Sequence, residues 1–138
     1  MIRVRHILVV CEDSPDGDEA LFAAAGLAQQ MGAHLTVVAV SDGKRSDDAA
    51  RLRRAGVLLT DQPDLGLVTA YGERTTALIE TAATYDCDLI VVPASRRRRL
   101  LRVADDTRML RRRSPVPVLQ TPSAETHALV RMHSEPLM

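Results

Sequence analysis

Short apolar runs that are continuous rather than alternating constrain the fold of this chain more than any other feature. Two of them are Leu89–Val92 and Val116–Leu119. Such runs are typical of strands buried on both faces, because a strand with one solvent face alternates apolar and polar residues. Open α/β sheets bind ligands beyond the carboxyl ends of their strands, so we expect function in the segment that follows Val92.

The rest of the chain alternates predicted strands with predicted helices. Further strands are predicted over 4–11, 34–40 and 65–71, and the last strand over 116–120. Helices are predicted over 47–59, 74–85 and 106–112, and a first one begins near Ser14-Pro15 or Asp16 and ends at Gly32. This order predicts a three-layer α/β/α domain with a parallel sheet covered by helices on both faces.

Two prolines predict the position of the last strand in the sheet. Pro115 and Pro117 are two residues apart, so both missing N–H groups would lie on the same side of the strand. A central strand needs the hydrogen bonds of both sides, so we expect the last strand to be an edge.

The composition indicates one globular domain. The chain has 138 residues, of which 46% are hydrophobic, enough to bury roughly 70% of the unfolded surface. We expect the domain over 1–121 and a C-terminal tail over 122–138. No apolar run approaches the roughly 20 residues that span a bilayer, and Met1 to His6 resemble no signal peptide. We therefore expect a cytoplasmic protein with no membrane partner.

The chemically reactive residues favour a binding protein over an enzyme. Cys11 and Cys87 are the only cysteines and have no CxxC partner, which predicts buried free thiols. The four histidines lack metal-ligand spacing, so we expect no zinc site. No Ser-His-Asp or Cys-His arrangement can be argued, because Cys11 and His6 are about 17 Å apart along one strand.

Charge is concentrated in one segment although the net charge is zero. Nine arginines lie between Ala94 and Ser114, opposed there only by Asp105 and Asp106, so the segment carries +7 and the rest −7. The run Arg96–Arg99 predicts a site for an acidic protein partner or a small anion. One Phe, two Tyr and no Trp provide no clustered stacking surface, which does not favour nucleic acid.

Three segments resemble the universal stress protein family. They run from Ile7 to Pro15, from Gly72 to Val92 and from Ser114 to Leu119, and the resemblance covers about 4–121. It implies a five-stranded parallel sheet of order 3-2-1-4-5. It also implies a homodimer formed through the edge strand Val116–Gln120.

Many members of that family bind ATP through a loop patterned Gly-x-x-Gly and, further on, Gly-Ser or Gly-Thr. Glycines let backbone N–H groups approach the phosphates, and the hydroxyl lies at a positive helix N-terminus. In this chain the corresponding residues are Pro93, Arg96, Asp106 and Thr107. Of the family's pattern only the hydroxyl residue is present, as Thr107. After the first strand, Glu12 and Asp13 replace the family's Asp and Gly.

The departures lead to two readings of the site. In the first, the chain is a non-enzymatic binding or regulatory module that does not bind ATP in the usual manner, and Asp105 and Asp106 cap a helix. In the second, a diverged arginine-rich loop binds a nucleotide or phosphate, with at most slow ATPase activity. The candidate residues for ATP or another anion are Glu12, Ser14, Ser95, Arg96 and Thr107.

Overall fold

Five parallel strands form one sheet in the order β3-β2-β1-β4-β5. The computed structural model describes residues 3–41, 47–94 and 100–123. The elements are β1 (His6–Val10), α1 (Pro15–Met31), β2 (His34–Ser41), α2 (Asp48–Leu58), β3 (Leu65–Tyr71), α3 (Arg74–Thr84), β4 (Leu89–Val92), α4 (Leu100–Arg113) and β5 (Val118–Gln120). The predicted fold class and strand order are confirmed.

The sheet is buried on both faces, as its continuous apolar runs predict. Ile7 and Val9 of β1 face α1 and α2, whereas Leu8 and Val10 face α3 and α4. All four side chains are at most 1% exposed. Side chains alternate faces along a strand, so a strand covered on both sides must be apolar at every position.

The ends of α1 follow from local sequence. Ser14 is the N-cap, and its Oγ accepts a hydrogen bond of 3.0 Å from the N–H of Gly17. Pro15 occupies the first helical position, where no N–H is needed. Gly32 ends the helix at φ 62°, in the left-handed conformation that glycine adopts without strain. Both predicted termini are confirmed, with Ser14 rather than Asp16 as the cap.

Helix α4 begins earlier than predicted. It starts at Leu100 and not at Asp106, so Asp105 and Asp106 lie inside the helix, and the prediction that they cap it is wrong. No glycine or proline lies between Ala94 and Ser114, and arginine and leucine are good helix formers. The aspartates therefore mark no helix start.

Strand β5 lies at an edge of the sheet, as the prolines predict. Among the described residues it pairs with β4 alone, and it begins at Val118, two residues later than predicted. Pro115 and Pro117 thus precede the strand. The carbonyl of Pro117 still accepts a 3.0 Å hydrogen bond from the N–H of Ile90, which guides the chain into the sheet.

Both cysteines are buried free thiols, which confirms that prediction. Burial raises the pKa of Cys87 to about 12 and also raises the pKa of Cys11, so both remain protonated at neutral pH. Within the described ranges, no three His, Cys, Asp or Glu side chains are grouped to hold a metal, and no helix has the length and apolarity to cross a membrane. The predicted tail lies almost wholly outside these ranges and stays a prediction.

Candidate functional site

The crevice of this fold lies where the order of the strands reverses. Strand β1 has β2 on one side and β4 on the other, so the loops after β1 and β4 diverge to opposite faces of the sheet and leave a gap between them. The described residues of these loops are Cys11–Ser14 and Pro93–Ala94. The N-terminus of α3 reaches the same edge because it follows β3.

An ion pair joins the loop after β1 to α3. The Nη1 of Arg74 donates to Oε1 of Glu12, and the two side chains are 29% and 33% exposed. Arg74 is the first residue of α3, which lies 62 positions further along the chain. The carboxylate that stands in the place of the family's Asp therefore has a cationic partner within the protein.

A second group of charges holds the same loop from the opposite layer. Arg54 of α2 donates to both carboxylate oxygens of Asp18, at 2.7 Å each, and lies 3.7 Å from Asp13. The hydrogen bonds and charge of Asp18 raise the pKa of Arg54 above its usual value. With Glu12 paired to α3 and Asp13 facing α2, both carboxylates of this loop are next to arginines.

The turn between Glu12 and α1 is closely packed. The N–H of Ser14 donates to the carbonyl of Glu12 at 3.0 Å. A Cβ at Gly17 would lie only 2.2 Å from that same carbonyl oxygen, so glycine is required there. The candidate Ser14 thus has a structural role in capping α1, whatever else its hydroxyl does.

The end of β4 offers few backbone donors to a ligand. Pro93 is buried directly after the strand and has no N–H, and Ala94 is partly buried. A glycine-rich loop would expose N–H groups at this point. The candidates Ser95 and Arg96, with the whole run 95–99, lie outside the described residues.

Thr107 does not lie in the first turn of a helix, contrary to our expectation. It lies seven residues after the start of α4 at Leu100, about 10 Å along the axis. Its side chain is 8% exposed and therefore buried. The structure thus brings Glu12 and Ser14 together at the crevice and places Thr107 within α4, away from its N-terminus.

Arg74 is a residue of the crevice that the sequence analysis does not predict. It belongs to Gly72-Glu-Arg, which follows a strand that ends at the same edge of the sheet as β1. That shared edge was the available signal, because the carboxyl ends of parallel strands lie together.

The described residues thus form a three-layer α/β/α domain with the strand order β3-β2-β1-β4-β5 and a crevice between β1 and β4. No protein-family model matches the chain, and no curated protein matches it. Solved structures do match. A universal stress protein in complex with cAMP superposes with a TM-score of 0.74 at 23% identity, covering 88% of this chain and 99% of that one.

Two further structures have the same fold. The universal stress protein UspA from Lactobacillus plantarum gives a TM-score of 0.70 at 25% identity, covering 88% of this chain and all of that one (100%). The universal stress protein from Archaeoglobus fulgidus in complex with dAMP gives 0.64 at 19% identity, covering 87% and 98%. The chain therefore has the fold of the universal stress proteins, and the resemblance read from its sequence is confirmed at the level of the fold.

Proposed function

We propose that this chain is a non-enzymatic binding and regulatory module of the universal-stress-protein type that does not hold ATP in the manner of the glycine-loop members. The observation that carries the proposal is Pro93, buried at the end of β4 where an ATP loop has its first glycine. It has no N–H to donate, and its ring limits how closely a ligand approaches the backbone.

The charges of the crevice support the same reading. A triphosphate is held by several backbone donors, each contributing about 1.5 to 3 kcal/mol when the acceptor is charged. Here Pro93 removes one donor, and the loop on the other side of the crevice carries two acids, Glu12 and Asp13. Their arginine partners Arg74 and Arg54 are already engaged, so a phosphate entering here would have to displace a carboxylate.

A second candidate function is the binding of a nucleotide monophosphate or of phosphate. The start of α4 at Leu100 favours it, because the positive end of a 14-residue helix then follows Arg96–Arg99 directly in sequence. The ligands of two structures with this fold, cAMP and dAMP, each carry a single phosphate. Such a ligand needs fewer backbone donors than ATP does.

Isothermal titration tests both candidates. Mg-ATP, AMP, cAMP and inorganic phosphate are titrated into the wild type and into a variant with Arg96, Arg97 and Arg98 changed to alanine. The control variant changes Arg108, Arg111 and Arg112, which are exposed on α4 away from its N-terminus, and removes the same charge.

We expect no micromolar site for Mg-ATP in any of the three proteins. Binding of AMP, cAMP or phosphate that is lost in the first variant and kept in the control would establish the second candidate. A micromolar Mg-ATP site in the wild type would contradict the first.

We further propose that the module is a homodimer joined through β5. The strand lies at the sheet edge, and Leu119 on it is 41% exposed.

We also propose that Arg96–Arg99 bind an acidic protein partner. Affinity capture at low and high salt, with the wild type and with the variant altered at Arg96, Arg97 and Arg98, tests for this acidic partner. We expect the wild type to capture the partner at low salt. The partner should be lost in the variant and also in the wild type at high salt, which screens charges.

A further inference from the structure

Strand β3 forms the end of the sheet opposite β5, and its sequence carries none of the usual devices that block strand addition. Among the described residues, β3 pairs with β2 alone. Its seven residues, Leu-Gly-Leu-Val-Thr-Ala-Tyr, include no charged side chain and no proline. Natural sheets commonly protect an edge with such residues, since an edge strand presents unpaired N–H and C=O groups to other chains.

The direction of these backbone groups follows from one hydrogen bond. The N–H of Gly72, just beyond the strand, donates to the carbonyl of Ser41 at 3.2 Å and so faces β2. Backbone groups alternate sides along a strand. The N–H groups of Leu67, Thr69 and Tyr71 therefore face away from β2, toward the open edge.

A groove runs beside this edge, between β3 and α3. Its volume is about 260 Å³, below the roughly 300–1,000 Å³ of small-molecule pockets. It suits a single side chain of a bound polypeptide better than a free metabolite. The residues that line the groove include Val68, Tyr71, Glu80, Thr81 and Tyr85.

The chemistry of the groove selects the charge of that side chain. Among the described residues that line it, Glu80 is the only charged one and none is basic. Tyr85, at the end of α3, also lines the groove and is 42% exposed. Arginine pairs with carboxylates and stacks on aromatic rings, so a glutamate and a tyrosine in the same groove match its side chain.

We propose that the outer edge of β3 binds an extended segment of another protein as an additional strand, with an arginine of that segment in the groove beside Glu80. In such complexes backbone hydrogen bonds provide affinity and a side-chain pocket provides selectivity. The site is separate from the crevice between β1 and β4 and from the edge at β5, because β3 lies at the far end of the sheet.

The charge of the groove argues against a second copy of β3 as the occupant. Pairing two β3 edges would bring together two grooves whose described lining contains Glu80 and no basic residue. It would leave both grooves without the cation that they suit. A partner strand with arginine satisfies the backbone edge and the groove at once.

The test uses the peptide fluorescein-Thr-Val-Arg-Val-Thr-Val-amide, labelled at its N-terminus, with binding followed by fluorescence anisotropy. Two matched peptides replace its arginine by glutamate or carry N-methyl groups on alternate amides, which block strand pairing. The protein variants are Thr69→Pro, which removes an outward N–H that the sheet does not use, and Glu80→Gln. Asp61→Asn removes one exposed charge outside the groove as a control.

We expect the arginine peptide to bind and the N-methylated and glutamate peptides to bind at least about tenfold more weakly. Thr69→Pro should weaken binding about tenfold and Glu80→Gln about threefold, the effect of an exposed ion pair. Asp61→Asn should change nothing. The N-methylated peptide keeps the test valid if Thr69→Pro does not fold.

Three results would overturn the proposal. They are absence of binding by the arginine peptide, equal binding of the arginine and glutamate peptides, and undiminished binding of the N-methylated peptide. A dimer in sedimentation that Thr69→Pro abolishes would also overturn it, since the edge would then bind a second copy of the chain.

Discussion

The loop at the crevice owes its shape to one glycine. Gly17 lies in the first turn of α1 and packs against the carbonyl of Glu12, so that the helix begins immediately beside the residue that pairs with Arg74. Gly26 lies in the same helix, and among the described residues no atom beyond the adjacent helix backbone lies within 4 Å of the place where its Cβ would be. Substitution of the first glycine therefore tests close packing, and substitution of the second tests helix propensity, within the same helix.

Gly17→Ala should destabilise the protein, whereas Gly26→Ala should stabilise it. The first substitution forces backbone apart and should cost about 1–3 kcal/mol. The second gains about 0.5–1 kcal/mol, because alanine is the better helix former. Urea unfolding of both variants measures the difference, and equal effects of the two substitutions would contradict the packing described at Glu12.

The N-terminus of α3 is capped by a carboxylate. Glu73 accepts from the N–H groups of Thr75 and Thr76 at 3.1 and 2.9 Å and from the hydroxyl of Thr76 at 2.7 Å. The hydrogen bonds from Thr76 lower the pKa of Glu73 to about 2. The charged form is therefore the one that the folded protein favours, and its contribution to stability depends on pH.

Glu73→Ala should lower the free energy of unfolding by about 1 kcal/mol at pH 7, the usual effect of losing a cap. A folded-state pKa below the unfolded value adds stability that is present above pH 4.5 and lost as the pH falls toward about 2. The difference between variant and wild type should shrink over that range in urea unfolding. Glu80→Ala, exposed on the same helix, is the control, and a difference independent of pH would contradict the role of the charge.

At the scale of the element, α4 departs most from expectation. Its early start moves two aspartates from a cap into the body of the helix and moves Thr107 away from the N-terminus. Its last turn carries Arg111, Arg112 and Arg113, where cations interact favourably with the helix dipole. The arginines of the last turn thus stabilise the C-terminal end of α4 through their interaction with the helix dipole.

Asp106→Ala distinguishes the two positions of the helix start. Inside α4 the substitution should raise the free energy of unfolding by up to about 0.5 kcal/mol, because alanine has the higher helix propensity. At an N-cap it would lower it by about 1 kcal/mol. Ser14→Ala, at the N-cap of α1, provides the reference for a true cap. A loss in Asp106→Ala equal to that in Ser14→Ala would contradict a start at Leu100.

At the scale of the whole molecule, the sheet has two different edges. Strand β5 is short, with three residues, and follows two prolines, whereas β3 has seven residues and no proline. The crevice lies between them. We therefore assign the self-association proposed above to β5 and the binding of another protein to β3.

Leu119→Lys should weaken the proposed homodimer at least about tenfold, since a charge at the interface must be desolvated without a partner. The equivalent change on the other edge, Leu67→Lys, should leave self-association unchanged. Both leucines are similarly exposed, at 41% and 43%. Sedimentation equilibrium over a range of concentrations makes the measurement. A monomeric wild type, or a stronger effect at Leu67, would contradict the assignment of the dimer to β5.

The sequence by itself determined the features that depend on neighbouring residues. Continuous apolar runs predicted strands buried on both faces, Ser14-Pro15 and Gly32 predicted the ends of α1, and Pro115 with Pro117 predicted an edge strand. The strand order required the family resemblance in addition. Local patterns report backbone conformation and burial, because these depend on periodicity and on caps within one turn.

Only the tertiary structure decided which distant residues meet. The pair Glu12–Arg74 spans 62 positions and Asp18–Arg54 spans 36, and neither has a signature in the residues around it. Such contacts depend on the strand register and on which face each helix covers. For the same reason the outward N–H groups of β3 and the groove beside it became visible only when β3 was placed at the end of the sheet, with α3 packed against one face.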